Sequence, residues 1–120
     1  MDDGRLADQA LLLDMVLAAR DAFSFLEGLN EADFVASRLH QYAMIRALEI
    51  IGEAAGKISP TLRAATPDIP WREITGMRHR LIHDYRDVQL EVVWFAVTEK
   101  LGPLIVKLEP LIADGDTDDA

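Results

Sequence analysis

Apolar residues recur every three or four positions through most of this chain, and no stretch follows the two-residue alternation of a half-buried strand. From Leu6 to about Leu26 they fall at Leu12, Val16, Ala19, Phe23 and Leu26, a helical stripe. Leu11 and Leu13 widen it, so this helix is expected to touch more than one neighbour. Gly28 is read as its terminator and Asn30 as the cap of the next helix, with Glu31 and Asp33 in the first turn. That second helix is expected over 31–58, its buried face marked by Leu39, Tyr42, Ile45, Leu48, Ile51 and Ala55. Gly52 and Gly56 would let another backbone approach it closely, though local adjustment of a long helix explains the spacing equally well. Ser59-Pro60 stops it, because the residue before proline disfavours helical geometry.

Prolines 60, 67 and 70 punctuate the next segment, with room for one short helical turn at 62–65. A third long helix is expected from Trp71 to about His83, with Ile74, Met77, Leu81 and Ile82 on its apolar side. The last is expected from about residue 88 to Ile112. Val92, Phe95, Val97, Leu101, Leu104, Ile105 and Leu108 are read as its core, and Gly102-Pro103 as a bend. The pattern predicts an all-α antiparallel bundle of four to five helices over 1–112, followed by a disordered acidic tail over 113–120.

At 120 residues the chain has room for one core. It has no cysteine, which excludes disulfides and thiolate zinc sites. Its start lacks signal-peptide character, and its apolar runs fall far short of the roughly 20 residues needed to span a bilayer. A cytoplasmic protein with no membrane partner is expected. The net charge of −9 argues against a general nucleic-acid coat protein. Residues 72–86 nevertheless set Arg72, Arg78, Arg80 and Arg86 against Glu73 and Asp84, a local excess of +2 that leaves −11 for the rest. A basic patch on an acidic body suits one small phosphate-bearing site. A solvated arginine-rich helix face is the alternative at this point.

The candidate chemistry lies in that window. Arg78, His83 and Tyr85 form R-x4-H-x-Y: a permanent cation, an imidazole that titrates near neutrality and a phenol. On an ideal helix Arg78 and His83 would point about 140° apart, so they meet only if the helix ends near His83 or the arginine wraps round. His79 and His83 have the spacing of two metal ligands, but Arg80 stands where a zincin needs glutamate, and no metal is expected. Nucleophile turns and glycine-rich phosphate loops are absent from the sequence, and Glu49 with Glu53 reads as a solvated face.

These residues resemble the HepT branch of the HEPN superfamily, the toxin half of HepT/MntA toxin–antitoxin pairs. The resemblance rests on three blocks in order: Arg46-Ala-Leu-Glu-Ile-Ile-Gly-Glu-Ala54, then Pro70-Trp71-Arg72-Glu73-Ile74 with Gly76-Met77-Arg78, then R-x4-H-x-Y itself. His79 departs from the asparagine commoner after that arginine. What the resemblance implies is a HEPN-type dimer with no cofactor, acting as a metal-independent endoribonuclease. Arg78 would stabilise the attacked phosphate and His83 would move protons, with Arg72, His79 and Arg80 as supporting or RNA-phosphate contacts. Two Arg–His pairs of a homodimer would meet in one cleft, and an MNT-type nucleotidyltransferase antitoxin would adenylylate Tyr85. A different class is also compatible: a non-catalytic helical subunit that docks a nucleotidyltransferase.

Overall fold

The computed structural model describes the backbone over residues 2–83 and 88–117, and side chains over 4–81 and 88–112. Seven α-helices and one π-helical turn account for the regular structure, and no strand occurs among the described residues. They are α1 (Asp2–Leu26), α2 (Glu31–Val35), α3 (Arg38–Lys57), α4 (Pro60–Ala65), α5 (Trp71–His83), α6 (Leu90–Phe95), the π turn (Ala96–Lys100) and α7 (Leu101–Thr117). The smallest extent is 21 Å, about two helix diameters, so the bundle is two helices thick.

Three contacts set the directions. Asp8, near the start of α1, accepts hydrogen bonds from Ser59 N (2.9 Å) and Ser59 Oγ (2.6 Å) just past the end of α3. Gln9 donates to the carbonyl of Leu111 near the end of α7 at 2.7 Å, whereas Phe23 lies against Gly102 near its start. On α5, Arg78 lies against Gly52 and Thr75 against Gly56 of α3. Each pairing is antiparallel. The core runs through the middle of this arrangement, with Leu12, Met15, Phe34, Met44, Val97 and Leu108 fully buried.

The helix expected over 31–58 is two helices. Asn30 opens α2 with a capping box: its side chain accepts from Asp33 N at 2.8 Å, and the Asp33 carboxylate accepts from Asn30 N at 3.4 Å. Ser37 then takes an extended backbone (φ −121°, ψ 106°) and caps α3 by accepting from His40 N at 3.2 Å. The carbonyls of Phe34 and Val35, exposed by the break, accept from Gln41 Nε2 at 3.1 and 2.9 Å. The break turns Phe34 into the core, 5.4 Å from the Trp94 ring. It also leaves Leu39 74% and Tyr42 63% exposed, against expectation. Tyr42 is held on the surface by Arg38, which donates to its hydroxyl at 3.3 Å. Leu48, Ile51 and Ala55 are buried as expected.

The bend expected at Gly102-Pro103 is the π turn. Proline has no N–H to give the carbonyl four residues back, and its ring would clash there. The chain widens just ahead of it, and Leu101 N donates to Ala96, five residues earlier. The added residue rotates the preceding face, so Val93, Ala96 and Val97 are buried while Val92 and Phe95 are exposed. Helical backbone continues to Thr117, past the Ile112 at which the apolar pattern ends.

Candidate active site

The helix that carries the candidate chemistry is fixed at its start. Trp71 is buried, and its indole Nε1 donates to Thr66 Oγ1 at 3.0 Å; Thr66 Oγ1 in turn donates to the Leu62 carbonyl at 2.7 Å. Lys107 Nζ donates to the carbonyl of Asp68 at 2.8 Å, tying the preceding loop to α7. Arg63 of α4 donates to the carbonyls of Ala55 (3.3 Å) and Gly56 (2.9 Å), closing the end of α3 beneath α5. The helix begins at Trp71 and ends at His83, as the pattern predicts.

Arg78 occupies the crossing of α3 and α5. A Cβ built on Gly52 would lie 2.2 Å from Arg78 Cβ, 2.9 Å from Cγ and 3.2 Å from Cδ. The arginine stem therefore runs through space that any other residue at 52 would occupy. The side chain is half-buried, and its Nε is shielded from solvent with no hydrogen-bond partner. Among the described residues no carboxylate pairs with it. Glu73, the nearby candidate on the same helix, lies 3.5 Å from Lys100 instead. An arginine held by packing, with no carboxylate on it among the described residues, is suited to receive an anion.

The two flanks of α5 differ. On one side Glu73, Ile74 and Met77 line a cleft of about 480 Å³ with Phe95, Lys100 and Leu104. On the other, Arg72, Gly76 and His79 are exposed, with Arg80 also exposed beside them. His83 is the last residue of α5; its side chain, and all of Tyr85 and Arg86, lie outside the described residues. Glu49 faces Arg46 at 3.7 Å and Glu53 faces Lys57 at 3.5 Å, so each carboxylate is held in a local ion pair along the face read from the sequence as solvated. His40 meets Ser37 Oγ through its Nδ1 at 2.7 Å, within the α3 cap. Sequence reasoning marked Gly52 as a point of close approach but did not connect it with Arg78. The sequence carries no signal that ties the two, because the pairing depends on which face of α5 meets α3.

The family model for ribonuclease HepT-like proteins matches residues 15–111 of this chain. The chain belongs to the HepT-like family. That match spans α5 and the whole 72–86 window. "Probable ribonuclease HepT" of Thermococcus cleftensis is 46% identical over 79 residues, covering 66% of this chain and 72% of its own length. Two proteins of Methanocaldococcus jannaschii cover more. "Putative RNase MJ1380" is 35% identical over 101 residues, 84% of this chain and 93% of its own. "Putative RNase MJ0125" is 34% identical over 106 residues, 88% and 91%. No solved structure matches the chain. No helix of the described residues is long and apolar enough to cross a membrane.

Proposed function

We propose that this HepT-like chain is the toxin of a toxin–antitoxin pair, an endoribonuclease that needs no metal and works as a homodimer. The observation that carries the reading is Arg78: a half-buried arginine, unpaired among the described residues, five positions before the histidine that ends its helix.

The reaction divides between the two motif residues. A 2′-hydroxyl loses its proton to a His83 imidazole and attacks the adjacent phosphorus; the P–O2′ bond forms as the P–O5′ bond breaks. The departing 5′-oxygen takes a proton, leaving a 2′,3′-cyclic phosphate and a 5′-hydroxyl. Arg78 stabilises the negative charge that builds on the non-bridging oxygens. Attack and departure occur on opposite sides of phosphorus, so one imidazole serves poorly as both base and acid. Two chains, each bringing an Arg78–His83 pair to a shared cleft, provide both. Arg72, His79 and Arg80 contact neighbouring phosphates. Adenylylation of Tyr85 by an MNT-type nucleotidyltransferase would place a bulky anion beside Arg78 and silence the enzyme.

The decisive experiment incubates the purified chain with RNA in EDTA and analyses the ends. Cyclic phosphate and 5′-hydroxyl termini, lost together in Arg78→Ala and His83→Ala, are expected. Cleavage that survives in both folded variants assigns the chemistry elsewhere.

A further inference from the structure

Three exposed or closely packed glycines occupy the paired helices α3 and α5, and two of them have partners within the chain. Gly52 gives way to the Arg78 stem, and a Cβ on Gly56 would meet Thr75 Cγ2 at 3.8 Å. Gly76 differs. It lies mid-helix in α5 with negative φ, it is exposed, and a Cβ there would find nothing within 4 Å. Glycine is the poorest helix former apart from proline, so alanine would suit the fold better at this position. Neither backbone conformation nor internal packing calls for glycine here. Among the described residues nothing else approaches it, which leaves room for close approach by a ligand.

The surroundings say what that is. Around the helix, Arg72, Gly76 and His79 fall within about 60° of one another, and the backbone register of His83 falls on the same side. Arg80 flanks the strip and is exposed, as are Arg72 and His79. Glu73 is drawn to the opposite flank by Lys100. Two copies of such a strip in direct contact would set arginine against arginine, whereas an anion lying between them would be attracted to both, so the strip suits a wall of the proposed shared cleft rather than a protein–protein contact. The groups lead along α5 toward the residue proposed to move protons.

We propose that Gly76 is a seat for the RNA sugar–phosphate backbone, a bare patch of α5 over which the strand passes in van der Waals contact on its way to His83. This rests on the endoribonuclease reading for the identity of its ligand. Gly76 acts by position, with Arg72 and Arg80 holding phosphates on either side. A side chain at 76 lifts the strand from the helix and withdraws it from those charges.

The test uses Gly76→Ala and Gly76→Leu in the full chain. The probe is a single-stranded 2′-fluoro oligoribonucleotide, which keeps the phosphate chain but cannot undergo 2′-hydroxyl attack. Its binding is read by fluorescence anisotropy. Beside it run thermal melting, sedimentation and kcat/KM on the matching RNA. Gly76→Ala should melt about 3–6 °C higher than wild type and bind the probe about tenfold more weakly through lost phosphate contacts. Gly76→Leu should bind more weakly still, and kcat/KM should fall in parallel at unchanged sedimentation mass. Binding within twofold of wild type in both variants overturns the proposal, as does a wild-type chain that does not bind the probe. Loss of binding in step with a drop in assembly mass also overturns it, and gives this face to a second copy of the chain. Graded loss of binding in a protein that cleaves no RNA upholds the seat and removes the nuclease reading instead.

Discussion

Gly52 of α3 leaves the space that the side chain of Arg78 fills on α5, with 2.2 Å between Arg78 Cβ and the Cβ that any other residue at 52 would carry. Neither helix can keep its place if that space closes. Gly52→Ala must push α5 outward or bend Arg78 from its path, an overpacking cost of about 1–3 kcal/mol. Cleavage should fall at least about tenfold through misplacement of the guanidinium. Gly56→Ala is the control, because its new methyl meets Thr75 at an ordinary 3.8 Å. It should keep full activity and gain roughly 0.5 kcal/mol. Urea unfolding and RNA cleavage on the two variants check both halves; equal activity in the pair removes Arg78 positioning from the account.

Growth is the second readout. Expressed alone, the chain should slow growth, and Arg78→Ala or His83→Ala should relieve that by removing a charge-stabilising or proton-moving group worth on the order of 10²-fold or more. Full toxicity in both folded variants would contradict the assignment.

Control through Tyr85 makes a separate claim. After co-expression with a cognate nucleotidyltransferase and ATP, the chain should gain the mass of one or more adenylates. Tyr85→Phe should stay at its unmodified mass, remain an active nuclease and escape neutralisation. If the Phe variant is neutralised as well as wild type, inhibition works by docking alone.

Assembly is tested by sedimentation equilibrium at micromolar concentration. The proposed homodimer has twice the 13.4 kDa chain mass. Leu6, Leu13 and Leu17 make an exposed apolar line on the outer face of α1, more surface than one small bundle uses. A lone 13.4 kDa species would sink the two-chain mechanism.

Stability should depend on Asp8, which is buried and accepts from both Ser59 N and Ser59 Oγ. Asp8→Ala strands those donors and should cost about 2 kcal/mol. The urea midpoint reports it, and a shift below a few tenths of that would show the groups finding other partners.

Much of this molecule was legible in the sequence, and the misses have local causes. The bounds of α5 followed from Pro70-Trp71 at one end and the polar run after His83 at the other. Ser59-Pro60 divided α3 from α4 as expected. The break at Ser37 was hidden, because it depends on Gln41 reaching back to two carbonyls, which no periodicity records. Leu39 and Tyr42 followed the spacing of the buried face but lie in the first turns of α3, clear of the core. Val92 and Phe95 were misread because the π turn shifts the register downstream of them. At the site, helical arithmetic separated Arg78 from His83 by about 140° without revealing that Arg78 faces α3. That needed the partner helix.

The π turn gives the last helical segment two allegiances. Ahead of it, α6 packs on α2 and α3; beyond it, α7 lies along α1. A continuous α-helix would bind both seams to one rotation, so that reshaping either would twist the other. With the π turn between them, a change of side-chain volume where α1 meets α7 need not rotate α6 against α3, so the wall beside α5 can keep its alignment. The feature that looks like a blemish in a helix is what sets the rotation of its two ends independently.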